Sequence, residues 1–145
     1  MSRIHIFNEH PRSRVPRAET IHLVNHVLRG EECRSADINV IFTNDRTMLG
    51  LNTKYLNHPY QTDVISFPLE EKGPGTVEGE VYVNIEQARR QARIYIVTKK
   101  NELSRLVIHG VLHLLGYEDS TKHRKNKMTA KENHYLESLS GGGNK

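Results

Sequence analysis

The segment RLVIHGVLHLLG, at residues 105–116, limits the possible folds more than any other part of the chain. Leu106, Val107, Ile108, Val111, Leu112, Leu114 and Leu115 lie at spacings that cover most of a helix surface. A helix that is apolar nearly all round must be buried. The expected helix runs roughly from Glu102 to Leu115, and Gly116 follows where a left-handed turn usually ends a helix. This helix should form the centre of the fold. It also carries two polar rings, His109 and His113. Each residue of an α-helix turns the side-chain direction by about 100°, so positions four apart project about 40° apart. The two imidazoles therefore point the same way from successive turns, the geometry in which a pair can share one metal ion.

Burial sharpens this reading. An unpartnered polar group in an apolar setting is costly, and a cation satisfies both rings at once. A catalytic metal site typically takes three protein ligands and leaves a place for water. After Gly116 the chain can turn back, and Asp119 and His123 are both near enough to supply the third ligand. Gly110 takes the place of the glutamate in a zinc-protease HExxH motif, which disfavours that mechanism. Gly110 also leaves room for another segment or a substrate to approach the helix. The other histidines, such as His5, His10, His22 and His26, are scattered singly and read as surface or structural residues.

With one cysteine, Cys33, the chain cannot close an internal disulfide or build a cysteine-rich zinc site. Histidine and carboxylate must hold any metal. The chain has 145 residues, the size of one ordinary domain, and is 36% hydrophobic and 26% charged. No apolar run is long enough to span a bilayer, and residues 1–14 lack the apolar core of a signal peptide. A cytoplasmic monomer is the expectation. The net charge of +4 is mild and compatible with nucleic acid.

The remaining elements follow from periodicity and caps. Strands are expected at residues 3–7, 37–42, 64–68 and 80–83. Helices are expected from Arg17 to Arg29 with Gly30 as the stop, from Asn44 or Asp45 through Leu56, from Asn84 through about Ile96, and from Thr121 to Leu139. The Gly/Pro-rich KGPGTVEG reads as a loop, and Thr98 to Asn101 as a polar break. Four short strands and about five helices indicate an α+β fold, a small mixed sheet packed with helices, over residues 1–139. Residues 140–145, with three consecutive glycines, read as a disordered tail.

Three stretches resemble one family. HGVLHLLGY is similar to the HGxLHLxGYDH signature of the YbeY bacterial endoribonucleases. LNTKYLNHPYQTDVISFP resembles that family's LN…TDVLSFP block, and GEVYVNIEQARRQA its GDIxI…QA block. The spacing to Met128 agrees, and the likeness runs from about residue 37 to 136. The resemblance implies a single α+β domain with one zinc ion per chain. It implies a single-strand endoribonuclease acting on ribosomal RNA, at the 3′ end of the small-subunit rRNA and in ribosome quality control. It places the ligands on His109, His113 and Asp119, where the third family ligand is a histidine. Aspartate also binds zinc, and its added negative charge weakens the metal as a Lewis acid. The family's arginine after the tyrosine of the LN block is replaced by Leu56, and nearby His58 is the one substitute in view.

No general base is evident beside the ligands; Glu118 is adjacent and reads as an exposed loop residue. Arg89, Arg90, Arg93, Lys99, Lys100 and Arg105, with Lys122, Arg124, Lys125, Lys127 and Lys131, are the candidate phosphate contacts. Tyr60, Phe67 and Tyr117 are candidate base-stacking side chains. Two alternatives differ in kind: a ribosome-associated binding factor with a structural zinc closed by His123, and a metallohydrolase of another substrate class.

Overall fold

The computed structural model describes residues 2–10, 12–56, 62–69, 73 and 75–143, with residues 140–143 described by their backbone alone. In chain order the elements are β1 (Ser2–Asn8), α1 (Arg17–Gly30), β2 (Ser35–Thr43), α2 (Asp45–Leu56), β3 (Val64–Pro68), β4 (Thr76–Asn84), α3 (Ile85–Tyr95), α4 (Lys99–Leu114) and α5 (Lys122–Gly143). The four strands form one sheet in the order β1-β2-β4-β3. β1, β2 and β4 run parallel, and β3 is antiparallel to β4. This is the expected α+β arrangement around a mixed sheet.

Alternation along β2 sends Ala36, Ile38, Val40 and Phe42 to one buried face. Val81 and Val83 of β4 extend that face, and Leu23, Val24, Val27 and Leu28 of α1 pack with it. α4 touches β3, β4, α1, α3 and α5, which bury most of its apolar surface. Val107, Ile108, Val111 and Leu112 are almost fully removed from solvent, as an all-round apolar helix requires.

Gly110 is a position of close approach, and what approaches is the sheet. A Cβ there would run into the Val81 side chain, with Ser66 Oγ and Val64 Cγ2 each 3.2 Å away. Ser66 Oγ also donates to the Gly110 carbonyl at 2.8 Å. The missing side chain admits the sheet and sets α4 close against β3 and β4. Gly116 behaves as expected: its φ is 101°, and Tyr117 N–H bonds back to the Leu112 carbonyl at 3.0 Å. Gly30 does not stop α1 by a left-handed turn. It lies inside the helix, where a Cβ would sit 2.5 Å from the Tyr135 ring, and the positive φ falls on Glu32 instead.

The boundaries move where a partner supplies what local sequence does not show. Thr76 to Gly79 pair with Ser35 to Ile38, so half of the expected loop is strand. Thr98 Oγ1 accepts from Asn101 N–H at 3.0 Å and caps α4, so the polar break is that helix's first turn. Asn84 caps α3 by accepting from the N–H groups of Glu86 and Gln87. α5 continues past Leu139 to Gly143, into the stretch expected as a tail.

Candidate metal centre

His109 and His113 project from successive turns of α4, at the end nearest Gly116. Their Nε2 atoms are 3.0 Å apart. The turn after Gly116 returns the chain, and Asp119 Oδ2 stands 3.4 Å from His109 Nε2 and 3.7 Å from His113 Nε2. A tetrahedral zinc ion with bonds of about 2.0–2.1 Å has ligand-to-ligand edges of about 3.3–3.4 Å. The three separations match that triangle to within a few tenths of an ångström. Among the described residues these three form the group of His, Cys, Asp and Glu side chains able to hold a metal ion. His123 is exposed on the first turn of α5 and stands outside the group.

The triangle is graded in exposure. The side chains of His109 and His113 are 21% and 29% exposed, and Asp119 is 44% exposed. Two members of this group thus come from the protein interior and one from its edge. Burial disfavours a charge on His109, but Glu132, with Asp119 and Asp63 nearby, outweighs it and raises the pKa above the ordinary value. Burial and the neighbouring His109 charge push the His113 pKa down. The two rings are thereby shifted in opposite directions. Two rings and a carboxylate that share so little space suit a single cation.

Glu132 escaped the sequence reading. It lies on α5, 6% exposed, with Oε2 at 2.6 Å from His109 Nδ1. Its other oxygen accepts from Arg105 at 2.9 Å, and Arg105 also donates to Asn133 Oδ1 at 2.7 Å. A sequence signal existed: positions 128, 132 and 135 share a helix face, and Met128 and Tyr135 on that face are core residues. A carboxylate in a core stripe marks a buried partner.

The other candidates separate by environment. Glu118 is 61% exposed, pairs with Arg124 and lines the groove that His113 also lines. Arg90 is bound to Asp45, Arg89 to Ser13 Oγ, and Lys100 lies 3.6 Å from Glu19. With Arg105 on Glu132, much of the expected cation cluster on α3 and α4 serves internal contacts. Tyr117 donates its hydroxyl to Glu31, and the ammonium groups of Lys127 and Lys131 lie over its ring at 5.7 Å. Phe67 packs edge-on against Tyr55 and Tyr82. His58 and Tyr60 lie outside the described residues. Leu56, with Asn52, Thr62, Ser66 and His113, lines a groove of about 480 Å³ beside the ligands.

The family model for Endoribonuclease YbeY matches residues 5–140. The chain belongs to the YbeY endoribonuclease family. It is 37% identical over 134 residues to Endoribonuclease YbeY of Chloroherpeton thalassium, covering 92% of this chain and 94% of that one. It is 33% identical over 142 residues to the Salinibacter ruber YbeY, covering 92% and 90%. The solution structure of TM1509 from Thermotoga maritima superposes with a TM-score of 0.69 at 28% identity, covering 98% of this chain and 92% of that one. The YbeY match spans β2, β3, β4, most of β1, the helix α4 that carries His109 and His113, and most of α5. No helix among the described residues is long and apolar enough to cross a membrane.

Proposed function

We propose that this chain is a metal-dependent single-strand endoribonuclease in ribosomal RNA maturation, acting at the 3′ end of the small-subunit rRNA and in ribosome quality control. His109, His113 and Asp119 would hold one zinc ion. The observation that carries the reading is the triangle of Nε2, Nε2 and Oδ2 atoms, matched in size to one tetrahedral ion and open on one side. Within the family this set differs by Asp119 in place of a histidine. The added negative charge partly offsets the ion's own, so the aspartate site favours affinity over acidity.

When bound, zinc supplies a water of pKa near 7 and a Lewis acid for a phosphoryl oxygen. The residues supply position and exclusion. α4 presents both rings from the interior, and its contacts with β3 and β4 fix their height above the sheet. The turn at Gly116 brings Asp119 over them. The groove beside His113, lined by Asn52, Thr62 and Ser66, offers hydroxyl and amide groups to a sugar-phosphate strand. Either the metal-bound water or the RNA 2′-hydroxyl can be the nucleophile in this setting. We further propose that residues 1–139 form one domain and that the protein works as a cytoplasmic monomer with the small ribosomal subunit as its setting. A structural four-ligand zinc is the weaker reading, since His123 stands apart from the other three.

The test pairs metal analysis with cleavage of single-stranded RNA, with and without chelator. Wild-type protein should contain about one zinc per chain and lose cleavage on chelation. His113→Ala should lose both metal and cleavage. A metal-free His113→Ala protein that cuts RNA at the wild-type rate would defeat this function.

A further inference from the structure

We propose that Glu132, backed by Arg105, is a positioning residue that holds His109 in the one neutral tautomer able to bind a cation through Nε2. The proposal rests on the reading of His109 as a metal ligand, and its test is built to fail separately from that reading.

His109 has two distinguishable nitrogens. Nε2 faces His113 Nε2 at 3.0 Å and Asp119 Oδ2 at 3.4 Å, and so points into the ligand triangle. Nδ1 faces Glu132 Oε2 at 2.6 Å. A neutral imidazole carries one N–H, and an ionised carboxylate can only accept. The proton therefore belongs on Nδ1, and the lone pair is left on Nε2, aimed at the ion's place. The opposite tautomer would put a hydrogen where the cation must go and set two lone pairs facing each other at the carboxylate. A carboxylate behind a ligand histidine also raises its basicity and fixes its ring plane.

The setting gives Glu132 little other purpose. It occupies the inward face of α5 between Met128 and Tyr135, which are 1% and 2% exposed. A well-packed apolar side chain at such a position is commonly as stabilising as a buried ion pair or more so. Arg105 offsets the buried charge with a bond at 2.9 Å, and Asn133 holds the guanidinium from its other side at 2.7 Å. Arg105 stands on α4 four residues before His109. The helix that carries the ligand thus also carries the group that orients the ligand's partner, and α5 closes the loop between them.

The experiment compares wild type, Glu132→Gln, the paired variant Arg105→Met with Glu132→Leu, and Glu137→Gln as a control that alters an exposed carboxylate of α5. Zinc affinity is measured by competition with a chromophoric chelator, and the fold of each metal-free protein by thermal unfolding. Imidazole nitrogen NMR of the metal-free protein, at alkaline pH where the ring is neutral, reports the His109 tautomer. Glu132→Gln should weaken zinc binding about 10- to 100-fold. The paired variant should also lose affinity while keeping or raising its unfolding temperature, and Glu137→Gln should bind zinc as wild type does. Wild type should show Nδ1–H at His109, and Glu132→Gln a mixture, since either end of the amide can face the ring. Unchanged zinc affinity in both Glu132 variants, or an Nε2–H tautomer in wild type, overturns the proposal. Absence of zinc binding by wild type would instead overturn the metal-site reading, with the tautomer still deciding the role of Glu132.

Discussion

Glu31 accepts from three donors at once. One oxygen takes the Tyr117 hydroxyl; the other takes the Tyr135 hydroxyl and the Lys131 ammonium, the latter at 3.0 Å. Its side chain is 9% exposed. Burial raises its pKa, yet the three hydrogen bonds together outweigh burial and bring the value below its ordinary 4.5. A carboxylate with a depressed folded pKa stabilises the fold above its unfolded pKa, and that contribution is lost as pH falls through the folded value. Glu31→Gln should therefore cost about 1–3 kcal/mol at neutral pH, the usual range for hydrogen bonds to a charged group. The difference in unfolding temperature from wild type should narrow below about pH 4.5. A difference that stays constant across the acid range would contradict this account. Because Tyr117 lies two residues before Asp119, the same variant should also loosen the third ligand. Contacts of this kind explain what the sequence could and could not reveal. His109, His113 and Asp119 lie on one helix and its closing turn, so spacing alone brings them together. Glu31 and Tyr117 are 86 positions apart, and Glu132 and His109 are 23 apart. No local period records such pairings.

The end of α3 shows what an element can tolerate. Ile96 occupies the left-handed position after the helix, with φ at 55°, and is 91% exposed. Its N–H and that of Val97 bond back to the carbonyls of Arg93 and Ala92 at 3.4 Å and 3.0 Å, the pattern that glycine usually completes. A left-handed residue with a Cβ costs about 1–2 kcal/mol. Glycine would return about 0.5–1 kcal/mol of that as lost chain entropy. With no packing to forfeit, Ile96→Gly should stabilise the protein by about 0.5–1 kcal/mol, raising the unfolding temperature by about 1–4 °C. A fall in that temperature would mean that Ile96 makes an interaction its exposure conceals. The other elements were legible to differing degrees for physical reasons. α1, α2 and α4 carry their own apolar faces, so periodicity located them. The first half of β4 is strand because β2 lies beside it, and its own Thr76 to Gly79 carry no sign of that. Gly30 looked like a helix stop because a close-packed glycine and a turning glycine are the same letter; only the Tyr135 ring distinguishes them.

At the scale of the whole molecule, two grooves meet at the turn that follows α4, beside the proposed centre. The one of about 480 Å³ beside His113 shares Pro68, Gly116 and Tyr117 with a second of about 850 Å³, which continues past Glu31 and Val77 to Lys127. The resulting trough joins at Gly116 and Tyr117 and runs past His113 in its smaller half, a form suited to an extended strand rather than to a compact small molecule. The chain's net charge is only +4, so attraction for RNA must depend on where the cations stand. Arg90, Arg105 and Lys131 are held by carboxylates, and Arg124 by Glu118. Lys122 and Lys125, exposed on the first turns of α5 a few residues after Asp119, have no carboxylate partner among the described residues. They are therefore open to phosphates on the exposed surface that follows Asp119. Each single-strand phosphate contact contributes about 0.7 to the slope of log affinity against log salt, so replacing both lysines by glutamine should flatten that slope by about 1.4. Zinc affinity, set by α4 and Asp119, should not change. Filter binding of a single-stranded RNA across a salt series measures the slope, and a slope equal to wild type would place the RNA path on another face of the molecule.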